Sequence, residues 1–360
     1  MSAVPRPLLA VTMGDPAGIG PEVVVAALAS RRVRAACRAL VVGDARILER
    51  AARALGRRFA ARVVSEAEEA NLHPRRVCLL DLHNADPAEI ALGRVSAAAG
   101  RAAAEYIERA ASLALSGRVA GLVTAPVNKE ALRLAGIRHP GHTEMLAALT
   151  GAPEVAMMLV QGPLRVSHIT THLSVREALG RVTRSRVVAV IRLTDRALAR
   201  MARPGSADAG APRRRIAVAG LNPHAGEAGL FGEEEAREIA PAVADARAEG
   251  IDAVGPLPPD TVFARHRAGE FDAVVAMLHD HGHIAVKTLG FTRRPDGRLR
   301  SAGVNVTLGL PIVRTSADHG TAFDIAGRGL ADPASMVAAL LLAAVWGAEG
   351  PRPRLQGGGR

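Results

Sequence analysis

Short apolar runs alternate along the chain with stretches of helical period, and most of the apolar runs stop at glycine or at polar side chains. Runs bounded in this way read as strands buried in a parallel sheet. Leu8–Met13, Ala39–Val42, Val77–Asp81, Val119–Val123, Ile216–Leu221 and Val274–Leu278 fit that pattern. Met157–Val160 and Leu164–Ile169 flank Gln161-Gly162-Pro163 and read as a hairpin. Helices are expected from Pro21 to Ala29, over residues 45–60, from Arg94 to Leu115 with Gly117 closing it, from Val175 to Arg200 and from Glu233 to Glu249. Strands interleaved with helices predict an α/β fold.

At 360 residues the chain is long enough for two domains. With 49% hydrophobic and 22% charged residues it is a folding chain rather than a disordered one. Aromatics make up only 2%, so the core has to be built of Ala, Val and Leu. Cys37 and Cys78 are the only cysteines, which excludes a disulfide scaffold and fits a reducing cytoplasm. The N-terminus lacks the charged and long apolar regions of a signal peptide, and Met336–Trp346 is too short to span a bilayer. Formal net charge is +11, which raises the question of a nucleic-acid partner. The arginines are scattered and stacking aromatics are scarce, so neither nucleic acid nor membrane is expected as a partner. Lys129 and Lys287 are the only lysines in an arginine-rich chain. An ammonium kept against that bias marks a place where a compact charge is useful.

The polar residues that end the strands carry the candidate chemistry, because ligands of open α/β sheets bind at the strand carboxyl ends. His172, His224 and His279 each follow an apolar run, and Asp260 follows the rigid stretch Gly255–Pro259. Three neutral imidazoles leave positions open on a divalent ion and make a Lewis acid; zinc, manganese, cobalt and nickel all suit them. His281 and His283 compete as ligands, or their alternation marks one face of an extended segment. The turn Gly14–Glu22 leads from a strand into a helix whose first N–H groups could hold an anion. Its spacing is neither G-x-G-x-x-G nor a Walker loop, so Asp44 is not read as a ribose-binding acid. A metal hydrolase and a nucleic-acid binder remain the other classes in play.

Longer motifs narrow the choice. Gly14-Asp15-Pro16-Ala17-Gly18-Ile19-Gly20-Pro21-Glu22, Gly141-His142-Thr143-Glu144, Thr170-Thr171-His172-Leu173, Gly220-Leu221-Asn222-Pro223-His224-Ala225-Gly226-Glu227, His279-Asp280 and the stretch from Gly303 through Arg314 to Ala322 together resemble the 4-hydroxythreonine-4-phosphate dehydrogenase family. The resemblance runs from about residue 8 to 345. It implies two α/β/α domains with a cleft between them, of the isocitrate/isopropylmalate dehydrogenase-like kind. Residues 1–130 with 303–347 would form the first domain, 131–302 the second, and 348–360 a disordered tail. It further implies NAD or NADP, a divalent metal (zinc, manganese, cobalt or magnesium) and a cytoplasmic homodimer. His172 and His224 of one subunit would bind the metal together with His279 of the other. His142, Thr143, Lys287, Asn305 and Arg314 would bind substrate, and Asp260 and Lys287 would be catalytic. The implied reaction oxidises 4-hydroxythreonine 4-phosphate at C3 to a 3-keto acid that decarboxylates, in pyridoxal phosphate synthesis. Four-carbon sugar-acid phosphates and aromatic cis-dihydrodiols are the alternative substrates.

Two features depart from the family pattern. Residues 292–302 are long and arginine-rich, with Pro295-Asp296-Gly297 reading as a hairpin tip between Lys287 and Asn305. His281 and His283 map to no role in the family. Lys129 also has no implied role, and a structural ion pair is expected of it.

Overall fold

The computed structural model describes residues 6–73, 75–139, 141–201, 214–293 and 299–348. The chain divides into two compact units, Met1–Pro153 with Leu310–Arg360, and Glu154–Gly309. The divisions therefore fall at 153/154 and 309/310, where the sequence suggested 130/131 and 302/303. The helix His142–Thr150 packs on the long helix Ala97–Leu115, which keeps residues 131–153 with the first unit. The expected hairpin tip at 295–297 and most of the expected tail at 348–360 lie outside the described residues.

Fourteen strands are described: β1 Leu8–Thr12, β2 Arg38–Gly43, β3 Ala61–Val64, β4 Val77–Asp81, β5 Gly121–Thr124, β6 Ala156–Gln161, β7 Leu164–His168, β8 Ile216–Ala219, β9 Ala253–Leu257, β10 Ala273–Ala276, β11 Thr292–Arg293, β12 Leu299–Arg300, β13 Val304–Leu308 and β14 Arg314–Ala317. The first unit orders its strands β3-β4-β2-β1-β5-β14, all parallel. Every residue of β1, β5 and β14 is buried; β1 and β5 therefore read as apolar runs without alternation, whereas β14, Arg314-Thr315-Ser316-Ala317, buries polar side chains. Chain ends meet here through the buried Glu22, whose carboxylate accepts the N–H groups of Gly327 and Gly329.

In the second unit the order is β13-β6-β7-β10-β8-β9. The β13/β6 and β6/β7 pairs are antiparallel, and β7, β10, β8 and β9 run parallel. Leu159, Val166, Ala217, Val274, Phe263, Phe271 and Val286 form its core. The two-residue connection Gly162-Pro163 closes β6 onto β7 with Gln161 opposite Leu164. No described helix is long and apolar enough to cross a membrane.

Three local expectations change. The stretch from Val175 to Arg200 is two helices, Val175–Leu179 and Arg184–Met201, because Gly180 ends the first. The acidic helix opens with a π-helical turn, Glu235–Ile239, before an α-helix over Ala240–Ala248. Pro241 has no N–H to continue an ordinary ladder at that point. The glycine turn at 14–20 is not an open anion cradle. Asp15 N–H donates to Pro126, Ala17 N–H to the Asp15 carboxylate, Gly18 N–H to Asp15 and Ile19 N–H to Thr321. A Cβ on Gly18 would lie 2.9 Å from Thr321, so this glycine serves close packing.

His266 shows how a buried histidine serves the fold alone. Its Nε2 accepts the Arg165 N–H at 2.9 Å and its Nδ1 donates to the Phe271 carbonyl at 2.8 Å. Burial pushes its pKa below the ordinary 6.5. A folded value below the unfolded one means the unfolded chain takes up the proton first, so stability falls as pH drops through the unfolded value. The Tm loss on going from about pH 7.5 to about 5.5 should be smaller in His266→Gln than in the wild type. Equal losses in thermal melts of the two proteins would refute this.

Candidate functional site

In the first unit, β14 delivers Arg314 and β5 ends at Thr124 beside it. The guanidinium is 3% exposed, and its Nη2 donates to Thr124 Oγ1 at 2.8 Å. Burial pulls its pKa down to about 10, opposed by Glu144. His142 and Thr143 open the helix His142–Thr150, whose N-cap Gly141 has no side chain to satisfy the first N–H groups. Burial, then the Arg314 charge, holds the His142 imidazole well below its ordinary pKa. Its buried Nε2 has no hydrogen-bond partner. A buried cation, a neutral imidazole and uncapped helix N–H groups make a corner that favours a bound anion. His142, Thr143 and Arg314, assigned to substrate by the resemblance, thus stand together.

In the second unit, β10 ends at Ala276 and a helix begins at His279 and runs to Gly290. His281 and His283 lie on that helix rather than on an extended segment. The i, i+4 spacing stacks His283 on His279, with ring centroids 3.7 Å apart. His168, at the end of β7, lies 4.8 Å from His283, and His172 lies 5.9 Å from His279. Burial, then the His283 charge, drives His168 down to about 3. Burial, then His279, drives His283 to about 4. Burial, opposed by Asp280, also lowers His281. These groups are held as neutral imidazoles, the form that ligates metals.

Not every imidazole here is free to ligate. A Cβ on Gly282 would sit 2.3 Å from His168 Nε2, so the helix backbone covers that nitrogen. His168 therefore supports the cluster from below. His279 is oriented from outside: its Nδ1 pairs with Asp280 Oδ1 at 2.7 Å. That leaves Nε2 as the nitrogen that would face an ion, and a carboxylate behind a histidine is the arrangement usual at metal ligands. Two imidazoles bonded to one ion at about 2.0–2.1 Å each place their rings several ångström apart, as His172 and His279 are. The residues present therefore fit a divalent ion.

His224 is placed differently. It opens a run of left-handed backbone, with φ of 53° at His224, 56° at Ala225, 79° at Gly226, 40° at Glu227 and 54° at Ala228. Only the glycine adopts this freely; each of the others costs about 1–2 kcal/mol. His224 is exposed, and its ring neighbour is Phe231, 6.3 Å away. The three predicted ligands do not gather within one chain. The one described trio of possible ligands with donor atoms within 4.8 Å is Asp44, Asp81 and His83. That trio is structural: Asp44 accepts Arg46 and the Ala85 N–H, and Asp81 accepts the N–H groups of Ala45 and His83. The pairing of His172 with His279 in one chain also differs from the partition implied by the resemblance, which groups His172 with His224.

The remaining candidates are less concentrated. Lys287 lies on the His279 helix, close enough that its charge lowers the pKa of His283. Asn305 donates to Met157 Sδ at 2.9 Å and leaves its buried Oδ1 without a partner. Asp260 is exposed in the turn before the helix Val262–Arg267. Lys129 is exposed and makes no ion pair among the described residues, so the expected structural bridge is not there. Sequence reading passed over His168 and Glu235. Only Glu235 left a visible sign, the Glu233-Glu234-Glu235 run shortly after the His224 motif.

A strand-end anion corner and a set of neutral histidines on an α/β framework are the equipment of an enzyme acting on an anionic substrate. Residues 35–343 match the family model described as pyridoxal phosphate biosynthetic protein PdxA. The chain is 49% identical over 335 residues to D-threonate 4-phosphate dehydrogenase of Cupriavidus necator, covering 93% of this chain and 95% of that one. It is 48% identical over 328 residues to 4-hydroxythreonine-4-phosphate dehydrogenase of Beijerinckia indica, covering 91% of each. A crystal structure of 4-hydroxythreonine-4-phosphate dehydrogenase from Klebsiella pneumoniae superposes with a TM-score of 0.81 at 47% identity, covering 95% of this chain and 99% of that one. The chain belongs to this family of dehydrogenases, which are oxidoreductases.

The Asp280 contact can be tested without substrate. Asp280→Asn should weaken zinc or cobalt binding about 10- to 100-fold, as loss of an outer carboxylate does. His281→Ala should leave it unchanged. Metal titrations of the two variants decide, and equal affinities would remove Asp280 from the site.

Proposed function

We propose that the chain oxidises the C3 hydroxyl of a four-carbon hydroxy acid 4-phosphate with NAD, and that the 3-keto acid formed loses carbon dioxide. The observation that carries this reading is the anion corner of Arg314, His142 and the uncapped helix N-terminus. A phosphate offers a planar guanidinium two acceptor oxygens at once. We rank D-threonate 4-phosphate first, because the Cupriavidus relative at 49% identity carries that name. 4-Hydroxythreonine 4-phosphate follows; the two differ only in bearing a hydroxyl or an amine at C2. A dihydrodiol carries no phosphate for the anion corner.

A divalent ion at His172, His224 and His279 would supply Lewis acidity at the C3 oxygen. Arg314 and Lys287 are the cations for phosphate and carboxylate, the first as a planar fork and the second as a point charge. Thr143 donates to an oxygen of the same substrate, and Asn305 fixes orientation without adding charge. Asp260, exposed and given a catalytic role by the resemblance, takes the hydroxyl proton. As hydride leaves C3 the carbonyl forms, and the carboxylate then stands beta to it. The C1–C2 bond then breaks: C1 leaves as carbon dioxide, its bonding electrons form the C2–C3 enolate, and a proton adds at C2. D-threonate 4-phosphate would so yield dihydroxyacetone phosphate. The C2 amine substrate would yield its amino analogue.

We further propose a homodimer that completes the metal site. Apolar side chains stand in water beside each histidine: Leu173 and Val175 by His172, Leu230 and Phe231 after His224, and Ile284 on the His279 helix. Such residues suit a covered face.

Two outcomes are expected. Nicotinamide reduction should show higher kcat/KM for D-threonate 4-phosphate than for 4-hydroxythreonine 4-phosphate, and the reverse order would replace the substrate but not the chemistry. Lys287→Ala should lose about 10- to 150-fold in kcat/KM, the worth of a charge-assisted contact of about 1.5–3 kcal/mol, with metal content unchanged. Unaltered kinetics would exclude Lys287 from the site.

A further inference from the structure

We infer that Glu235 is a positioning residue whose carboxylate holds the left-handed turn that presents His224. The inference rests on the reading of His224 as a metal ligand. A turn with four non-glycine residues at positive φ does not persist by its own preference, so it has to be held from outside. Glu235 is 5% exposed and directs both oxygens at the base of this turn. Oε1 accepts the N–H groups of Leu221 and Asn222, each at 2.7 Å, and Oε2 accepts Asn222 Nδ2 at 2.9 Å. Leu221 and Asn222 are the two residues that lead from β8 into the turn.

The backbone has been cleared for this contact. A Cβ on Gly226 would lie 2.7 Å from Glu235 Oε2, and one on Gly220 would lie 2.8 Å from Ala225 Cα and 3.0 Å from Glu235 Oε1. Glu235 is also the first residue of the π-helical turn, which sets where its side chain leaves the helix. Glu234 adds a second acceptor to Asn222 Nδ2 at 2.8 Å but touches no backbone group of the turn's base. Glu235 thus acts on His224 through the chain, touching neither ring nor substrate.

The test combines exchange in the turn with cobalt binding. In Glu235→Ala without metal, amide hydrogens of 221–231 should exchange faster while the rest of the second unit keeps its protection. Cobalt affinity, read from its visible spectrum, should fall about 10- to 100-fold, as it should in His224→Ala. The double variant should lose no more than either single one, because both act through one ligand. Glu235→Gln, which keeps an oxygen for the two backbone N–H groups, should recover most of the binding. Unchanged exchange in Glu235→Ala, or losses that multiply in the double variant, would overturn the inference. If His224→Ala binds cobalt normally while Glu235→Ala still loosens the turn, the ligand reading fails and Glu235 keeps only its hold on the chain.

Discussion

Strand-end loops in this chain depend on buried carboxylates that accept backbone N–H groups. Parallel strands end in loops that leave the sheet pointing inward, and each N–H there has to be paired away from water. Glu22 pairs those of Gly327 and Gly329, Asp44 those of Arg46 and Ala85, Asp15 that of Ala17, and Glu235 those of Leu221 and Asn222. All four acids are at most 5% exposed. Glu22 and Glu235 each take two such donors with no ion pair among the described residues, which spares the desolvation of a second charge, while Asp44 adds the Arg46 guanidinium at 2.9 Å. Asp15 has the thinnest supply, and burial pushes its carboxyl up to about 6.

The same constraint explains what the amino-acid sequence disclosed and what it hid. Apolar runs such as Val274–Ala276 and Leu9–Val11 announce strands because burial on both faces leaves no room for polar residues. The motifs around His142, His172, His224 and Arg314 marked real strand-end and helix-start positions. Pattern could not reveal that His224–Ala228 coils left-handedly, since alanine and glutamate have no preference for positive φ. The carboxylate that imposes this lies well along the chain and reads as one more surface acid. His168 was hidden for another reason: at 0% exposed it closes the strand Leu164–His168, where Arg165 and Ser167 already alternate with apolar residues, so it reads as one more polar position of a hairpin. His281 and His283 were legible as a histidine-rich segment, but helix against extended chain was not, because a short run with a glycine inside supports either.

Electrostatics divide the two groups of functional side chains. In the first unit a guanidinium is buried beside an imidazole that its own charge keeps neutral. That corner suits an anion. In the second unit several imidazoles crowd together, and each disfavours protonation of the next. That cluster is incomplete until a cation arrives. A phosphorylated hydroxy acid together with a divalent ion answers both needs, and a dehydrogenase of this family acts on such substrates by the names its relatives carry.

The central claim is that oxidation and decarboxylation are one enzyme's work on such a substrate. The most direct measurement is the stoichiometry of reduced nicotinamide to released carbon dioxide on incubation with D-threonate 4-phosphate, with and without a chelator. The account predicts equal amounts of the two products, and loss of both when the ion is removed. Nicotinamide reduction without carbon dioxide, or release of inorganic phosphate in place of either, would contradict it.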